Sequence, residues 1–461
     1  VPAVRTTNDK LARLIKEAGH SHKSFARAVR DTSDDAGTPI GCDHTSVSRW
    51  LNGVKPRADA AQLIVTALSR TLGRTVTLAE AGLSASGRLS LDLGLSVPDA
   101  VEDGIETVSQ LWQADLSEAS IVLSEHVNPG AWNDASLTWL LSPSATPTAA
   151  ANGQRIGQSD VQRFRTTVEL FAQMDNRFGG GHARQSLIHY LASDGARLLQ
   201  SRYTAMNGRI LFSAVAEATL LAAWMSYDSG LHSLAQRYFI QALSFARAGD
   251  DRLLAASILD AMSHQATFVG RFREAAKLAQ AARQGTRGVA TPTLTAHFLA
   301  MEARALARLG DGRGCDVALS QAVTEFERRT PENDPEWIRY FDDAELAAEF
   351  GHCFRDLGRA VNASQYAAQC VGTIDGGTYL RSDFFATMVL ADAHLAAGEA
   401  EQACQIALDA LRMGELLRSA RCLSYVQEFA ARLAPAAQSS SLRGFHEQAD
   451  KFALWQRVAN Q

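Results

Sequence analysis

Apolar residues recur at helical spacing along most of the chain. Leu11, Leu14 and Ile15 share one face of a helix predicted over residues 8–18, and Phe25, Ala26 and Val29 share one face of a second helix opened by Ser21. Val47, Trp50 and Leu51 fall at i, i+3 and i+4 in HTSVSRWLNG, with Asp43 placed to cap its start, Gly53 to end it and Pro56 to stop its resumption. A helix of this length is not stable alone, so neighbours must hold it. Ala61, Ile64, Val65, Leu68 and Leu72 form the stripe of a fourth helix over residues 58–72. These four helices predict one small all-α domain over residues 1–84. The stretch TSDDAGTPIGCD between the second and third helices reads as a loop from its Gly and Pro content.

Farther on, a different regularity takes over. Glycines at 230, 270, 310, 358 and 398 stand 40, 40, 48 and 40 residues apart, in the range of stacked helical hairpins. Seven residues before each glycine come Ala223, Ser263, Ala303, Gly351 and Ala391. Five after come Ala235, Ala275, Cys315, Ala363 and Ala403, and twelve after come Ala242, Ala282, Ala322, Cys370 and Ala410. All are small, which is what two helices need where their axes approach closely. The longest interval contains RRTPENDPEW, in which Pro335 is placed to open the next helix. A further helical pair is expected over residues 160–174 and 183–199, and closing helices over 416–433 and 442–458. The body thus spans residues 158–461. Between it and the head, residues 85–157 hold two expected linkers, SVPDAVEDG and SPSATPTAAANGQ, around ETVSQLWQADL, a predicted helix, and GAWNDASLTWLL, an island without an assigned fold.

Composition narrows the class. A 461-residue chain that is 46% hydrophobic and 21% charged can bury more than one core. Its longest apolar run, residues 218–225, is too short to cross a bilayer and the segment VPAVRTTNDK has no apolar signal core, so the expectation is a cytoplasmic protein without membrane contact. Cys42, Cys315, Cys353, Cys370, Cys404 and Cys422 form no CxxC pair and read as buried thiols. Charge is divided unevenly: residues 1–84 carry a net +4, leaving −9 for the remainder. A basic head on an acidic body permits nucleic-acid binding without establishing it.

The head resembles the helix-turn-helix domain of the Cro and phage-repressor (XRE) class through Phe25-Ala26, Ser46-Val47-Ser48-Arg49-Trp50 and the Asn52-Gly53 stop. In that class the third helix enters the major groove. The resemblance implies base-facing positions at His44, Thr45, Ser48 and Arg49, with Ser46 and Asn52 nearer the DNA backbone. Arg49 is the best reader, since a guanidinium forks onto guanine. Lys55, Arg57, Ser21 and Lys23 suit phosphate oxygens by charge and by the amides at a helix start.

GRFREAAKLA and GEAEQACQIA resemble tetratricopeptide repeats most closely, although the repeats here are longer than the family's usual unit. That family's register puts the first helix of each hairpin on a concave side. The implied groove residues are Glu217, Trp224, Tyr227, Asp260, His264, Phe268, His297, Arg304, Arg308, Glu345, His352, Arg355, Phe385, Met388 and Asp392, a mixture suited to a peptide or polar small molecule. Equally, such residues can pair with one another across adjacent repeats. The fold class expected is all-α, a helix-turn-helix bundle followed by a tetratricopeptide-like solenoid.

With FGGGHAR, WMSYDSGLHSLAQRYFIQAL, AMSHQATFVGRFREA and AELAAEFGHCFRDLG, the whole chain is similar to an actinobacterial family of transcription regulators, the NsdA-type repressors of differentiation and antibiotic production among them. This implies a DNA-binding homodimer that acts on double-stranded DNA and senses a small molecule, peptide or protein through its repeats, with no cofactor. The competing reading is an interaction scaffold whose head binds DNA weakly or serves for docking. Catalysis finds no constellation: FGGGHAR lacks the following GK[ST] of a phosphate loop, GDGRG lacks a third dinucleotide-binding glycine, and no paired metal-ligand spacing occurs. His352 and Cys353 are sequence neighbours and point apart on a helix. No enzyme activity and no metal are expected.

Overall fold

The computed structural model describes residues 7–35, 40–54, 56–74, 76, 78, 80–83, 91–117, 126–141, 155–371, 379–436 and 442–459. It is all-helical, with no strand among the described residues. The chain divides into two compact units, Val1–Ser90 and Leu91–Gln461.

The first unit holds α1 (Asp9–Glu17), α2 (His22–Asp35), α3 (His44–Leu51) and α4 (Ala58–Leu72). Its core joins Leu11, Leu14, Phe25, Val29, Val47, Trp50, Ile64 and Leu68. Asn8 ties the bundle at three points. Its side-chain oxygen accepts the Leu11 N–H (3.0 Å), its own N–H donates to the Leu51 carbonyl (2.8 Å), and its amide NH2 donates to the carbonyls of Ala81 (3.0 Å) and Gly82 (3.1 Å). The TSDDAGTPIGCD stretch is not wholly loop: α2 continues through Asp35, with Thr32 and Ser33 buried. Thr32 donates to the Ala28 carbonyl (2.8 Å) and Ser33 Oγ accepts the Ile40 N–H (3.1 Å), so side chains of the would-be loop are spent holding the helix and its exit. Residues 36–39 lie outside the described residues.

The second unit begins with α5 (Val101–Asp115), α6 (Pro129–Leu141), α7 (Gln158–Phe178), α8 (Arg184–Tyr190), a π-turn over Leu191–Gly195 and α9 (Ala196–Leu199). Five glycine-turned hairpins follow: α10 (Ala205–Asp228) with α11 (His232–Ala248), α12 (Arg252–Phe268) with α13 (Phe272–Gly285), α14 (Pro292–Leu309) with α15 (Gly312–Glu327), α16 (Asp343–Asp356) with α17 (Ala360–Cys370), and α18 (Leu380–Ala396) with α19 (Ala400–Gly414). The unit ends in α20 (Ala420–Leu433), α21 (Arg443–Ala449) and α22 (Ala453–Ala459), so the closing stretch expected as one helix over 442–458 is two.

Each hairpin turns on its marking glycine, which holds a left-handed φ: 80° at Gly230, 78° at Gly270 and Gly310, 70° at Gly358 and 84° at Gly398. All of the small residues keyed to these glycines are buried. Pro335 opens only a short 3-10 turn, Glu336–Ile338, and α16 starts later because the Asp342 carboxylate caps it, accepting the N–H groups of Ala344 (2.9 Å) and Glu345 (3.0 Å). Helix α10 has the length and hydropathy of a membrane span, but 72% of its most apolar window is buried inside this body. Packing against its hairpin partners accounts for that composition.

The stretch before the hairpins clads them. The expected linker SVPDAVEDG instead opens α5, and the chain leading into it is pinned to α11: Arg237 donates to the Leu91 carbonyl (2.7 Å) and Gln241 to those of Gly94 and Ser96 (3.0 Å each). Helix α6 lies against α11, α12 and α13, with Trp132 fully buried, so the unassigned island belongs to the body. SPSATPTAAANGQ lies outside the described residues.

One contact converts the hairpin array into a closed body. The Phe178–Gly181 turn meets the connection between α19 and α20, where Gly181 N–H donates to the Arg418 carbonyl (2.9 Å) and Arg418 N–H to that of Phe178 (2.7 Å). The glycines permit this approach: a Cβ on Gly180 would stand 2.6 Å from the Met225 carbonyl oxygen and one on Gly181 2.8 Å from that of Arg418. Gly180→Ala is therefore expected to destabilise the protein by about 1–3 kcal/mol, as is Ala403→Leu at a hairpin crossing. Each should lower the urea midpoint without changing its slope, whereas Glu401→Leu on the exposed side of α19 should leave the midpoint in place.

Candidate functional site

The first candidate surface is the outer face of α3. Asp43 caps the helix reciprocally with Ser46: its carboxylate accepts the Ser46 N–H (2.8 Å) and hydroxyl (2.9 Å). The Thr45 hydroxyl also donates to Asp43, and with the Ser46 bonds it holds this exposed carboxyl well below its ordinary range. With Val47 and Trp50 fixed in the core, His44, Thr45, Arg49 and Asn52 are exposed and Ser48 is half-buried. Two assignments change. Ser46 is half-buried with its hydroxyl proton engaged by Asp43, and Thr45 turns its hydroxyl back to the same carboxylate, so neither offers a free donor. Both residues serve the cap because an ionised carboxylate is the strongest acceptor nearby.

Around this face the cations divide into two sets. Arg70 is bound to Asp35 (2.7 Å), and Arg74 to Glu17 (3.1 Å) and Glu80 (2.8 Å). Lys23, Arg27, Arg49 and Arg57 are exposed and form no ion pair among the described residues. Arg30 donates to the Cys42 carbonyl and, with Arg49, lines an open hollow at the start of α3. Ser21 is exposed, but its N–H is taken by Ser24 Oγ (2.8 Å), which removes it as a free phosphate donor. Lys55 lies outside the described residues. Sequence reasoning missed Arg27 and Arg30, although Lys23, Arg27 and Arg30 recur at i, i+4 and i+7 and so share one face of α2.

The second candidate is the concave side of the hairpins, and here the expectation of an open lining is overturned in part. The predicted residues do converge, but inward. Tyr227, Asp260, Arg304, His352, Phe385, Met388 and Asp392 are buried, and Glu217, Trp224, His264, Phe268, His297, Arg308, Glu345 and Arg355 are half-buried. Most charged members already have partners: Glu217 with Arg165 (2.8 Å), Asp260 with His297 (2.6 Å), Arg304 with Glu349 (2.5 Å), Arg308 and Arg355 with Asp356 (3.6 and 2.8 Å), and Asp392 with Arg432. Pairing follows from enclosure, since a buried charge without a counterion carries a large desolvation cost. The enclosing element is α20. Its Arg421, Tyr425, Glu428 and Arg432 recur at i, i+4, i+7 and i+11, with Arg421 and Tyr425 buried against the hairpins and Glu428 and Arg432 at the rim, where Arg432 still reaches Asp392.

The aromatic part is continuous with the ionic part. Tyr227 shares a hydrogen bond with His264 Nδ1 (3.1 Å), His352 Nε2 shares one with the Tyr425 hydroxyl (2.8 Å), and Trp224 meets His264 edge to face. At the closure, Asp228 accepts the Gly180 N–H and the Ser419 hydroxyl (2.8 Å each), while Arg381 bridges Asp175 (2.9 Å) and Asp228 (3.6 Å). All six cysteines are free and buried, and no cluster suited to a metal ion occurs among the described residues.

Two of these groups make stability depend on pH in the same direction. Burial, then the Glu349 and Asp342 carboxylates, push Glu345 up to about 7. The unfolded chain releases this proton in the ordinary carboxylate range, so stability present below that range is lost as pH rises toward about 7. Burial alone would lower His297, but Asp260 outweighs it and raises the imidazole, whose contribution is likewise lost on going above the ordinary histidine range. Thermal melts are thus expected to fall as pH is raised from mildly acidic to mildly alkaline, and Glu345→Gln should flatten the lower part of that decline.

Residues 11–84, the described bundle almost in full, match the family model described as the SP15 N-terminal domain. No curated protein matches the chain.

Proposed function

We propose that this protein is a sequence-specific, DNA-binding transcription regulator whose hairpin body senses a small molecule, peptide or protein partner and thereby alters DNA binding. The observation that carries the reading is the sorting of cations on the head. Arginines of α4 and its exit are neutralised by carboxylates, whereas Lys23, Arg27 and Arg49 on α2 and α3 remain unpaired among the described residues beside an exposed polar helix face. A helix-turn-helix needs that arrangement, because phosphate contacts on one helix set the register and the next helix reads bases. His44, Ser48, Arg49 and Asn52 are the readers; Lys23, Arg27, Arg30 and Arg57 are the phosphate contacts.

The body acts without catalysis, as a tetratricopeptide-like sensor in the cytoplasm. A ligand shifts DNA affinity only by preferring one body conformation, and the closure between α7, α10 and α20 is the element that has two states to offer, joined or parted. One head presents a small reading surface, so a homodimer on paired half-sites supplies the affinity.

Full-length protein is tested on duplexes selected from a random-sequence pool. Affinity should fall steeply with salt. Arg49→Ala should cost about 1–3 kcal/mol on the selected sequence and erase its advantage over unselected duplex. Arg27→Ala should weaken all duplexes alike and flatten the salt slope by about one. Salt-independent binding, or an Arg49→Ala protein that keeps both affinity and preference, would refute the proposal.

A further inference from the structure

Arg421 stands apart from every other arginine of the interior. Its side chain is only 9% exposed, yet it makes no hydrogen bond among the described residues, and its Nε is buried without a partner. A guanidinium carries five N–H donors and stays charged, so enclosing it in this way is costly. Its guanidinium carbon lies over three rings, 4.4 Å from the centre of Phe385, 4.7 Å from that of Tyr227 and 5.8 Å from that of Phe268. Ring faces attract a cation but accept none of its hydrogen bonds in the way an oxygen does. The nearest carboxylate oxygen, Asp228 Oδ1, is 3.9 Å away and already accepts the Ser419 hydroxyl, while Oδ2 accepts the Gly180 N–H.

We propose that Arg421 anchors a monoanionic carboxylate whose aromatic or apolar body lies among the rings of Tyr227, Phe268 and Phe385. This rests on the ligand-sensing reading of the body and names the class of ligand. A planar guanidinium matches a carboxylate with two parallel hydrogen bonds, and the rings around it accept a flat apolar group. The charge state follows from the neighbours. Glu349 balances Arg304 and Asp356 balances Arg355, while Arg421 has only the Asp228 carboxylate 3.9 Å away, shared with Arg381 at 3.6 Å; so loosely held a cation suits one added negative charge and not two. Arg304 Nε and Arg355 Nη1 are further buried donors without hydrogen-bond partners in the same interior. His264 and His352 are held well below the ordinary histidine range, first by burial and then by Arg421 and Arg304 at His264, and by Arg304 and Arg355 at His352, so neither adds a positive charge beside Arg421.

The test uses full-length protein, thermal melting and calorimetric titration with benzoate, benzamide, inorganic phosphate, and the tripeptide Gly-Gly-Phe as its free acid and its amide. An acid should stabilise and bind where its amide does not, and phosphate should do neither. Benzoate as the better ligand identifies a free aromatic acid; the tripeptide acid as the better one identifies a peptide C-terminus. Arg421→Met should melt no lower than the parent without ligand, because Asp228 keeps its other partners, and should lose at least about tenfold in affinity for the acid. Arg421→Gln provides the same comparison at lower bulk.

A structural strut would show the opposite pattern, a lower melt and no change in ligand preference. Acids no better than amides, a response to phosphate alone, or variants that bind the acid as the parent does would each overturn the assignment. DNA binding is measured alongside without added acid. Acid binding in a protein that fails to bind duplex would sink the regulator reading and leave the carboxylate site standing.

Discussion

The Asp228 carboxylate is the constraint on which the body depends. Its two oxygens accept the Gly180 N–H from the turn after α7 and the Ser419 hydroxyl from the start of α20, so segments from before and after the hairpin array meet at one buried group. Without that junction the hairpins form an open array with a solvated concave side. With it, the same side becomes an interior, and every charged residue facing it needs a partner or a use. The ion pairs of Arg304, Arg355 and Asp392, the neutral histidines and the poorly paired Arg421 all follow from that enclosure.

Local order was well marked in the sequence, and long-range closure was not. The cap at Asp43, the glycine at the turn of every hairpin and the buried small residues are fixed by neighbours within one helix or one hairpin, where periodicity and turn chemistry act directly. The course of α2 through Asp35 and the opening of α5 by a stretch read as linker depended on contacts made elsewhere. Thr32 and Ser33 look like loop residues until their hydroxyls are seen to hold the helix and its exit, and residues 91–96 look free until Arg237 and Gln241 bind their carbonyls.

The sites show the same division. Sequence spacing located the outward positions on α3 but could not tell that Thr45 and Ser46 turn their hydroxyls toward the cap. The tetratricopeptide register named residues that the fold does bring toward one side, but not what covers them, since nothing in a repeat register says that a later helix crosses the mouth. The stripe of Arg421, Tyr425, Glu428 and Arg432 carried that information in its spacing.

Closure also limits how this architecture can change over time. In an open stack of hairpins, a duplicated or deleted unit lengthens or shortens the array and leaves its neighbours intact. Here, inserting one hairpin anywhere between α10 and α19 would carry Ser419 and Arg418 a full step away from Asp228 and the glycine turn. The number of hairpins is therefore locked, and descendants of this chain can diversify their interior only by exchanging side chains.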